Sequence, residues 1–227
     1  MKVFYHKDND GKCAAHLIDM YYNYDPPDMA SQIPIDYIAM EYGKPFPFDD
    51  VSKNEKVYIL DYSIEPFEME RLMTITKDII WIDHHKTSID KYYDLVEKLN
   101  KQGLIIEGIR DIIKSGCELT WGWFHRGEEI PQYVNLIGDR DTWRWEHGDT
   151  TKFFHYGITA SENEPCDTIW LEARKDTGSI IEKGKAVFGY VKKQNTEALR
   201  ERGFWIDFHG HKTFAINSDI VRSSEFY

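Results

Sequence analysis

The sequence predicts an α/β protein in which a parallel sheet carries helices on both faces. Short apolar runs alternate with longer amphipathic segments along most of the chain. Two of the runs, residues 56–62 and 78–82, are almost continuously apolar, which is typical of parallel strands buried on both faces. Consecutive strands that are joined by helices pair in parallel through right-handed crossovers, so the alternation favours one open parallel sheet.

The first part of the chain predicts strands and helices in turn. Residues 12–23 place Ala14, Leu17, Ile18 and Tyr21 at the three-to-four spacing of an amphipathic helix. Pro66 suits the first turn of a second helix. The predicted strands are residues 2–5, 33–40, 56–62, 78–82 and 104–109, and the predicted helices are residues 12–23, 66–76, 91–101, 115–124 and 131–137.

The rest of the chain loses this rhythm. Residues 143–175 are expected to connect two parts of the protein through short helices, and residues 179–202 to form a long charged amphipathic helix. Two short β-like runs follow, at 204–208 and 213–217, with a hairpin turn at His209-Gly210-His211. We therefore expect a catalytic domain over 1–145, a connector over 146–178, and a linker helix with a small C-terminal α+β domain over 179–227.

Composition and charge narrow the function classes. The 227 residues carry a net charge of −11, so long duplex nucleic acid is a poor partner, because basic side chains supply most of that affinity. Three scattered cysteines predict a reduced compartment without disulfides, and Cys13 and Cys117 are expected in the core. The N-terminus lacks the apolar run of a signal peptide, and no stretch is long enough to span a membrane. These features favour a cytoplasmic protein.

Four sequence points carry candidate chemistry, and each follows a predicted strand or helix. They are His6-Lys7-Asp8-Asn9-Asp10-Gly11, Asp61, Asp83-His84-His85 and Asp139-Arg140-Asp141-Thr142. In an extended segment alternate side chains share a face, so His6, Asp8 and Asp10 can point the same way. The carboxyl ends of parallel strands form the ligand crevice of an open sheet, so these groups are expected to converge there.

Converging carboxylates require a cation. Mixed aspartate and histidine donors suit Mn²⁺, Mg²⁺, Fe²⁺ or Zn²⁺. There are more candidate ligands than one ion needs, which predicts two ions roughly 3.5–4 Å apart that share a carboxylate. Taken alone, Asp-X-Asp-Gly is a common turn and a single histidine at a strand end is usually structural. The four points together, in this order on an α/β pattern, are far more specific.

The chain resembles the DHH phosphoesterases over residues 6–142. HKDNDGKCAA is similar to the first motif of the exonuclease and nanoRNase branch, ILDYS to the second motif, and IDHHKT to the segment that names the family. SGCELTW resembles the helix between the third and fourth motifs, and IGDRDTW the fourth motif. The resemblance implies a catalytic DHH domain and a two-metal phosphohydrolase.

The resemblance also implies roles for individual residues. One metal would be held by His6, Asp8 and Asp61, and the second by Asp10, Asp61, His84 and Asp141, with Asp61 bridging. Asp139 is an alternative to Asp141 in the fourth motif. His85 would face the phosphate as a catalytic and substrate-binding group, and Asp83 would orient a histidine. The expected cofactors are two divalent cations, with Mn²⁺ first and Mg²⁺ as the alternative.

The C-terminal region bears on the substrate. Family members usually end in a smaller domain with a glycine-rich GGGH segment, which this sequence lacks. FAINSDIVRSSE resembles the opening β-α segment of that domain, so a shortened version is expected, with Asn217, Ser218, Arg222 and Ser223 as candidate contacts for a base or phosphate. A reduced clamp disfavours long strands and favours a short oligonucleotide, cyclic nucleotide or bisphosphate nucleotide. Trp121, Trp123, Trp143 and Trp145 lie near the fourth motif and are candidates for lining the pocket.

Three functions stay open. The leading hypothesis is a metal-dependent phosphodiesterase that hydrolyses a small nucleotide with a metal-activated water. Pyrophosphate or short-chain polyphosphate hydrolysis is an alternative within the family, although the close spacing of His6 and Asp8 disfavours it. A degenerate, non-catalytic nucleotide-binding module is the third. The long helix over 179–202 could also pair with a copy of itself, so a homodimer is considered.

Overall fold

A four-stranded parallel sheet lies at the centre of the part of the chain that the computed structural model describes, which is residues 1–24 and 33–217. The strands lie side by side in the order β2-β1-β3-β4, and every neighbouring pair is parallel. They are β1 (Lys2–His6), β2 (Asp36–Met40), β3 (Val57–Leu60) and β4 (Ile79–Ile82). Every residue of β3 and β4 is buried, as the continuous apolar runs predict. The α/β class with a parallel sheet is therefore confirmed.

Helices cover both faces of the sheet. Alternate strand residues divide between two hydrophobic clusters: Val3 and Tyr5 pack with α1, α5 and α6, whereas Phe4 packs with α2 and α4. The helices are α1 (Asn9–Asp19), α2 (Pro66–Ile75), α3 (Lys86–Lys91), α4 (Tyr93–Lys101), α5 (Gly116–Phe124), α6 (Gln132–Asp141), α7 (Asp149–Thr159), α8 (Thr168–Lys175) and α9 (Thr177–Arg202). A π-helical turn at Met20–Tyr24 continues α1, and a short 3₁₀ turn lies at Phe48–Asp50.

The strand expected at residues 104–109 is reduced to two bridges beside β4. Ile80 pairs with Glu107 and Asp83 with Arg110, both in parallel, but no continuous ladder forms. Gly108 explains the break: its φ of 118° lies outside the range of a strand, and a Cβ at this position would lie 1.9 Å from the Trp81 carbonyl oxygen. The segment therefore lines the edge of the sheet without extending it as a regular strand.

The segment after Trp143 packs on the sheet domain. Helices α7 and α8 place Phe154, Ile158 and Trp170 in the cluster that also contains α1 and α5. Helix α9 approaches α7 very closely at Gly184, and only glycine fits there. A Cβ on Gly184 would lie 1.7 Å from the Phe153 carbonyl oxygen. Cys13 and Cys117 are both buried and free, as expected.

The chain continues after α9 into an antiparallel hairpin of β5 (Gly203–Phe208) and β6 (His211–Ile216). Its two-residue turn is His209-Gly210, and both residues have positive φ (52° and 81°), as a type I′ hairpin turn requires. The two predicted strands and the turn are thus confirmed, although β6 begins earlier than predicted. No helix within the described ranges is both long and apolar enough to cross a membrane.

Candidate metal centre

Neighbouring parallel strands deliver the predicted residues to one edge of the sheet. His6 is the last residue of β1, Asp61 follows β3, and Asp83-His84-His85 follow β4. Asp8 caps α1 by accepting a hydrogen bond from the Gly11 backbone nitrogen at 2.9 Å. Gly11 is required there because a Cβ would lie 2.1 Å from the His6 carbonyl oxygen. The strand-to-helix turn therefore holds His6 and Asp8 side by side.

Asp61 lies at the centre of the arrangement. Its backbone is left-handed, with φ at 51°, and only 1% of the residue is exposed. Both carboxylate oxygens are buried without a hydrogen-bond partner among the described residues. Two imidazole nitrogens lie nearby: His84 Nε2 is 3.1 Å from Oδ1, and His6 Nδ1 is 3.6 Å from Oδ2. A buried acceptor of this kind is costly unless a cation or donor reaches it.

Three overlapping groups of side chains could each hold a metal ion. They are His6, Asp8 and Asp61; Asp61, His84 and His85; and Asp10, His84 and Asp141. Within each group the ligand atoms lie within 4.8 Å of one another. His6 Nδ1 is 2.9 Å from Asp8 Oδ2, and His84 Nε2 is 3.3 Å from Asp141 Oδ2. The sequence-predicted ligands are thus brought together, with Asp61 and His84 shared between groups.

The N-terminus of α5 fixes Asp10. Its carboxylate accepts hydrogen bonds from Ser115 Oγ (2.9 Å) and from the backbone nitrogens of Gly116 (2.7 Å) and Cys117 (2.9 Å). The positive end of a helix favours an ionised carboxylate. Ser115 caps the helix and shares a capping box with Glu118. Sequence reasoning assigned no role to Ser115 or Gly116, which lie more than 100 positions from Asp10.

Asp83 orients His85. One Asp83 oxygen, Oδ1, lies 2.7 Å from His85 Nδ1 and accepts the His84 backbone nitrogen at 2.8 Å, while Oδ2 accepts a hydrogen bond from Ser63 Oγ. Asp83 is fully buried, whereas about one third of the His85 side chain is exposed. A carboxylate that takes Nδ1–H fixes the ring orientation and leaves Nε2 for another partner.

Asp139 lies outside the cluster, so the expectation that it is an alternative ligand to Asp141 is wrong. Residues two positions apart on a helix point about 200° apart, so Asp139 and Asp141 cannot face the same site. Asp139 is fully buried and accepts hydrogen bonds from Thr151 Oγ1 and from the backbone nitrogens of Glu146 (2.8 Å) and His147 (3.2 Å). Burial raises the pKa of its carboxyl, but these hydrogen bonds outweigh burial and lower it. Asp139 therefore organises the following loop.

The charges in the cluster oppose one another in the absence of a cation. Burial, and then the negative charge of Asp10, raise the pKa of Asp61 well above its usual value, and the same two causes raise the pKa of Asp141 to about 7. Burial disfavours the charged form of His6, yet the nearby carboxylates of Asp61 and Asp8 raise its pKa to about 10. Burial likewise disfavours ionised Asp8, but His6 lowers its pKa to about 2. Nitrogen and oxygen donors with an unsatisfied shared carboxylate fit divalent cations such as Mn²⁺.

Two cavities open on either side of the cluster. The first, of about 350 Å³, is lined by Asp8, Asp10, Asp141 and Trp143, among others. The second, of about 680 Å³, is lined by Tyr42, Tyr62, Lys44 and His85, among others. Of the four candidate tryptophans only Trp143 is among the described residues that line either cavity, and Trp121 is buried.

The predicted C-terminal contacts are not part of these cavities as far as the structure describes them. Asn217 is exposed after β6 and does not line either cavity. Ser218, Arg222 and Ser223 lie outside the described residues. Their predicted role in substrate binding stays a prediction.

Comparison with known proteins establishes the fold but no family. No family model matches the chain. An uncharacterized protein of Acanthamoeba polyphaga mimivirus, R106, is 28% identical over 109 residues, which are 48% of this chain and 24% of the viral protein. A crystal structure of an uncharacterized protein from Helicobacter pylori G27 superposes with a TM-score of 0.53 over 82% of this chain and 60% of that chain, at 11% identity. The chain thus spans about a quarter of the viral relative and less than two thirds of the bacterial one.

Proposed function

We propose that this protein is a metal-dependent phosphodiesterase of the DHH type that hydrolyses a small nucleotide. The observation that carries the proposal is Asp61, a buried carboxylate to which the described residues donate no hydrogen bond, surrounded by His6, His84 and two further carboxylate groups. A structural network usually gives each buried carboxylate a hydrogen bond, whereas the described histidines lie close to the Asp61 oxygens without forming one. A pair of divalent cations would complete it.

Each residue has a role in this proposal. His6, Asp8 and Asp61 would hold one ion, and Asp10, Asp61, His84 and Asp141 the other. The bound ions would supply a water nucleophile at neutral pH and stabilise charge on the phosphoryl oxygens. The anchoring of Asp10 on α5 and the left-handed turn at Asp61 keep the donors in place before any ion arrives.

His85 would act on the phosphate. It is the more exposed histidine of the pair, with 32% of its side chain exposed against 14% for His84, and it lines the second cavity. When protonated, it donates Nε2–H to a phosphoryl or leaving oxygen. Asp83, at 2.7 Å from Nδ1, fixes the orientation of the ring.

The dimensions of the site support a small substrate. Cavities of about 350 and 680 Å³ lie within the usual range for small-molecule pockets, ~300–1,000 Å³. The net charge of −11 disfavours electrostatic capture of a long strand. A mononucleotide, dinucleotide or cyclic nucleotide agrees with both observations.

The test is turnover with Mn²⁺. Bis-p-nitrophenyl phosphate, dinucleotides, cyclic mono- and dinucleotides, pyrophosphate and 3′,5′-bisphosphate nucleotides form the panel. We expect Asp61→Asn and His84→Ala to lower kcat/KM at least about 100-fold, since loss of even an outer partner of a metal ligand costs 10–100-fold. Asp94→Asn, which changes an exposed aspartate on α4, is the matched control and is expected to retain activity.

Each other outcome separates an alternative. Turnover of pyrophosphate alone would favour a pyrophosphatase or polyphosphatase. Nucleotide binding without turnover would favour a binding module. Full activity in Asp61→Asn would contradict the proposal.

A further inference from the structure

Two tryptophans beside the metal cluster adopt an unusual backbone conformation. Trp143 and Trp145 both follow α6 and have positive φ, 56° and 57°. A bulky side chain rarely adopts this region, and such residues persist only where surrounding contacts impose it. The loop from 142 to 148 is therefore held in one shape by its neighbours.

Asp139 and Arg144 supply those contacts. The buried Asp139 carboxylate accepts the backbone nitrogens of Glu146 and His147, and its carbonyl accepts the Arg144 nitrogen at 3.1 Å. The Arg144 guanidinium donates to the Glu118 carboxylate at 2.8 Å. Since Glu118 is itself buried on α5, the loop is tied to the helix that also anchors Asp10.

Arg140 stacks on both tryptophans. Its guanidinium carbon lies 4.6 Å from the centre of the Trp143 ring and 5.0 Å from that of Trp145, and the two rings meet edge to face at 5.7 Å. Among residues 1–24 and 33–217, no carboxylate lies within 4.0 Å of the Arg140 guanidinium. The positive charge of Arg140 is thus held by aromatic faces next to a strongly acidic cluster.

Trp143 is exposed into the cavity that the candidate ligands line. It is 55% exposed, and Asp8, Asp10, Asp141 and Arg140 line the same cavity of about 350 Å³. With the Arg140 guanidinium 4.6 Å from the ring centre and 55% of Trp143 exposed, part of the indole surface is open to a planar ligand. An indole face of this kind offers nothing to an inorganic phosphate but stacks well on a nucleobase.

We propose that Trp143 is the stacking platform for one base of the substrate, with Arg140 bracing the ring and balancing the charge of the cluster. The inference rests on the proposed function, because it assumes that the phosphate of the same nucleotide lies at the Asp61 cluster. It deepens that function by assigning a base-bearing phosphodiester to the site in preference to pyrophosphate or polyphosphate. In this arrangement the three residues of the motif Asp139-Arg140-Asp141 have different roles. Asp139 holds the loop, Arg140 contacts the Trp143 ring, and Asp141 faces the metals.

The first test compares substrates with and without a base. The dinucleotide pApA and two analogues, each with a tetrahydrofuran abasic unit in place of one nucleoside, are hydrolysed with Mn²⁺ by the wild type, Trp143→Ala and Trp143→Phe. Stacking one base contributes enough to expect about a 10- to 100-fold loss of kcat/KM for pApA in Trp143→Ala. Trp143→Phe should recover most of the loss. In the wild type, one of the two abasic analogues should have a kcat/KM lower than that of pApA by a similar factor. For that analogue, Trp143→Ala should have the same kcat/KM as the wild type.

The control is Tyr93→Ala, which removes an aromatic residue on α4 that is 75% exposed and lies outside this cavity. It should leave all three rates unchanged. An equal loss on all three substrates in Trp143→Ala would show a merely structural role and overturn the proposal. No loss on pApA would also overturn it.

A binding measurement separates this inference from the proposed function. If the wild type hydrolyses no nucleotide, calorimetric titrations with adenosine monophosphate and with ribose 5-phosphate, both with Mn²⁺, still test the platform. We expect about tenfold tighter binding of adenosine monophosphate, and we expect Trp143→Ala to abolish the difference. Equal affinities in the wild type would refute the stacking role whether or not turnover occurs.

Discussion

Asp61 and His16 show how burial acts on single ionisable residues in this protein. An unpaired buried carboxylate is costly in its charged form, so burial raises the pKa of Asp61 well above its usual value. His16 is also buried, but its Nδ1 lies 2.9 Å from the Pro165 carbonyl oxygen, and its ring stacks on Trp170. A neutral imidazole satisfies those contacts. The Nε2 of His16 is, like the Asp61 oxygens, buried without a hydrogen-bond partner among the described residues, but a neutral ring nitrogen costs less to bury than a carboxylate.

We predict that His16 makes the free energy of unfolding fall between pH 6.5 and pH 4. Burial lowers its pKa to about 4 in the folded protein, from an ordinary value of 6.5. Below pH 6.5 His16 binds a proton in the unfolded chain but stays neutral in the folded protein. Its contribution to the free energy of unfolding is therefore fully present above pH 6.5 and declines as the pH falls. Two to three pKa units correspond to about 3 kcal/mol.

Urea unfolding with a chelator present, at pH 7 and pH 4, measures this effect. His16→Gln should show a smaller decline than the wild type, whereas His211→Gln, on the exposed face of β6, should match the wild type. Identical pH profiles for the wild type and His16→Gln would rule out the assignment.

Most members of the candidate metal cluster could be predicted from the sequence. Side-chain alternation and strand ends predicted a common neighbourhood for His6, Asp8, Asp61 and His84, whereas the ligand role of Asp141, at the end of α6, was implied by the resemblance to the fourth motif. To choose between Asp139 and Asp141 one must know which side of α6 faces the site. The sequence alone does not give this orientation for two aspartates that lie two positions apart. The conformation of the loop at Trp143 depends on positive φ angles and on the ion pair between Arg144 and Glu118. No pattern of neighbouring residues in the sequence predicts either feature.

At the scale of elements, the N-terminus of α5 contacts two of the candidate ligands. It donates two backbone hydrogen bonds to Asp10, and Gly116 packs directly on Asp61. The helix therefore contacts two carboxylates from different elements, Asp10 in the first turn of α1 and Asp61 after β3. Its position explains why a glycine stands in the first turn of this helix.

Gly116→Ala is predicted to disturb the metal centre. The new Cβ would lie 2.5 Å from Asp61 Cβ and 2.9 Å from Asp61 Oδ1, so one of the two must move. Overpacking of this kind costs about 1–3 kcal/mol, and we expect Mn²⁺ affinity to fall at least about tenfold. Urea unfolding and calorimetric titration with Mn²⁺ measure the two effects.

Gly122→Ala on the same helix is the matched control. Nothing lies within 4 Å of its added Cβ, so it should keep Mn²⁺ affinity and gain up to about 1 kcal/mol from helix propensity. Wild-type affinity in Gly116→Ala would show that α5 does not constrain Asp61.

The regular elements followed from the sequence more closely than the irregular ones. Continuous apolar runs predicted β3 and β4, and the hairpin strands followed from two short runs around Gly210. The segment at 104–109 has a strand-like composition, but the φ of Gly108 interrupts pairing. Helices α7 and α8 pack into the main core through contacts distant in sequence, and periodicity in short segments does not reveal such contacts.

At the scale of the whole molecule, one sheet edge gathers groups that are more than 130 positions apart, from His6 to Asp141. The parallel topology makes this convergence possible, because β1, β3 and β4 end at the same edge. Burial, and then the clustering of aspartates there, raises the pKa values of Asp61 and Asp141, so that positive charge at this edge would be stabilising. Metal binding is therefore the property on which the phosphodiesterase proposal and the roles of the six proposed ligand side chains depend.

Calorimetric titration of the chelator-treated protein with Mn²⁺ at pH 7.5 tests this property most directly. The account predicts two ions per chain in the wild type, and loss of at least one of them in the nearly isosteric Asp61→Asn, whose fold is checked by circular dichroism. Absence of Mn²⁺ binding in the wild type, or the same stoichiometry and affinity in Asp61→Asn, would contradict it.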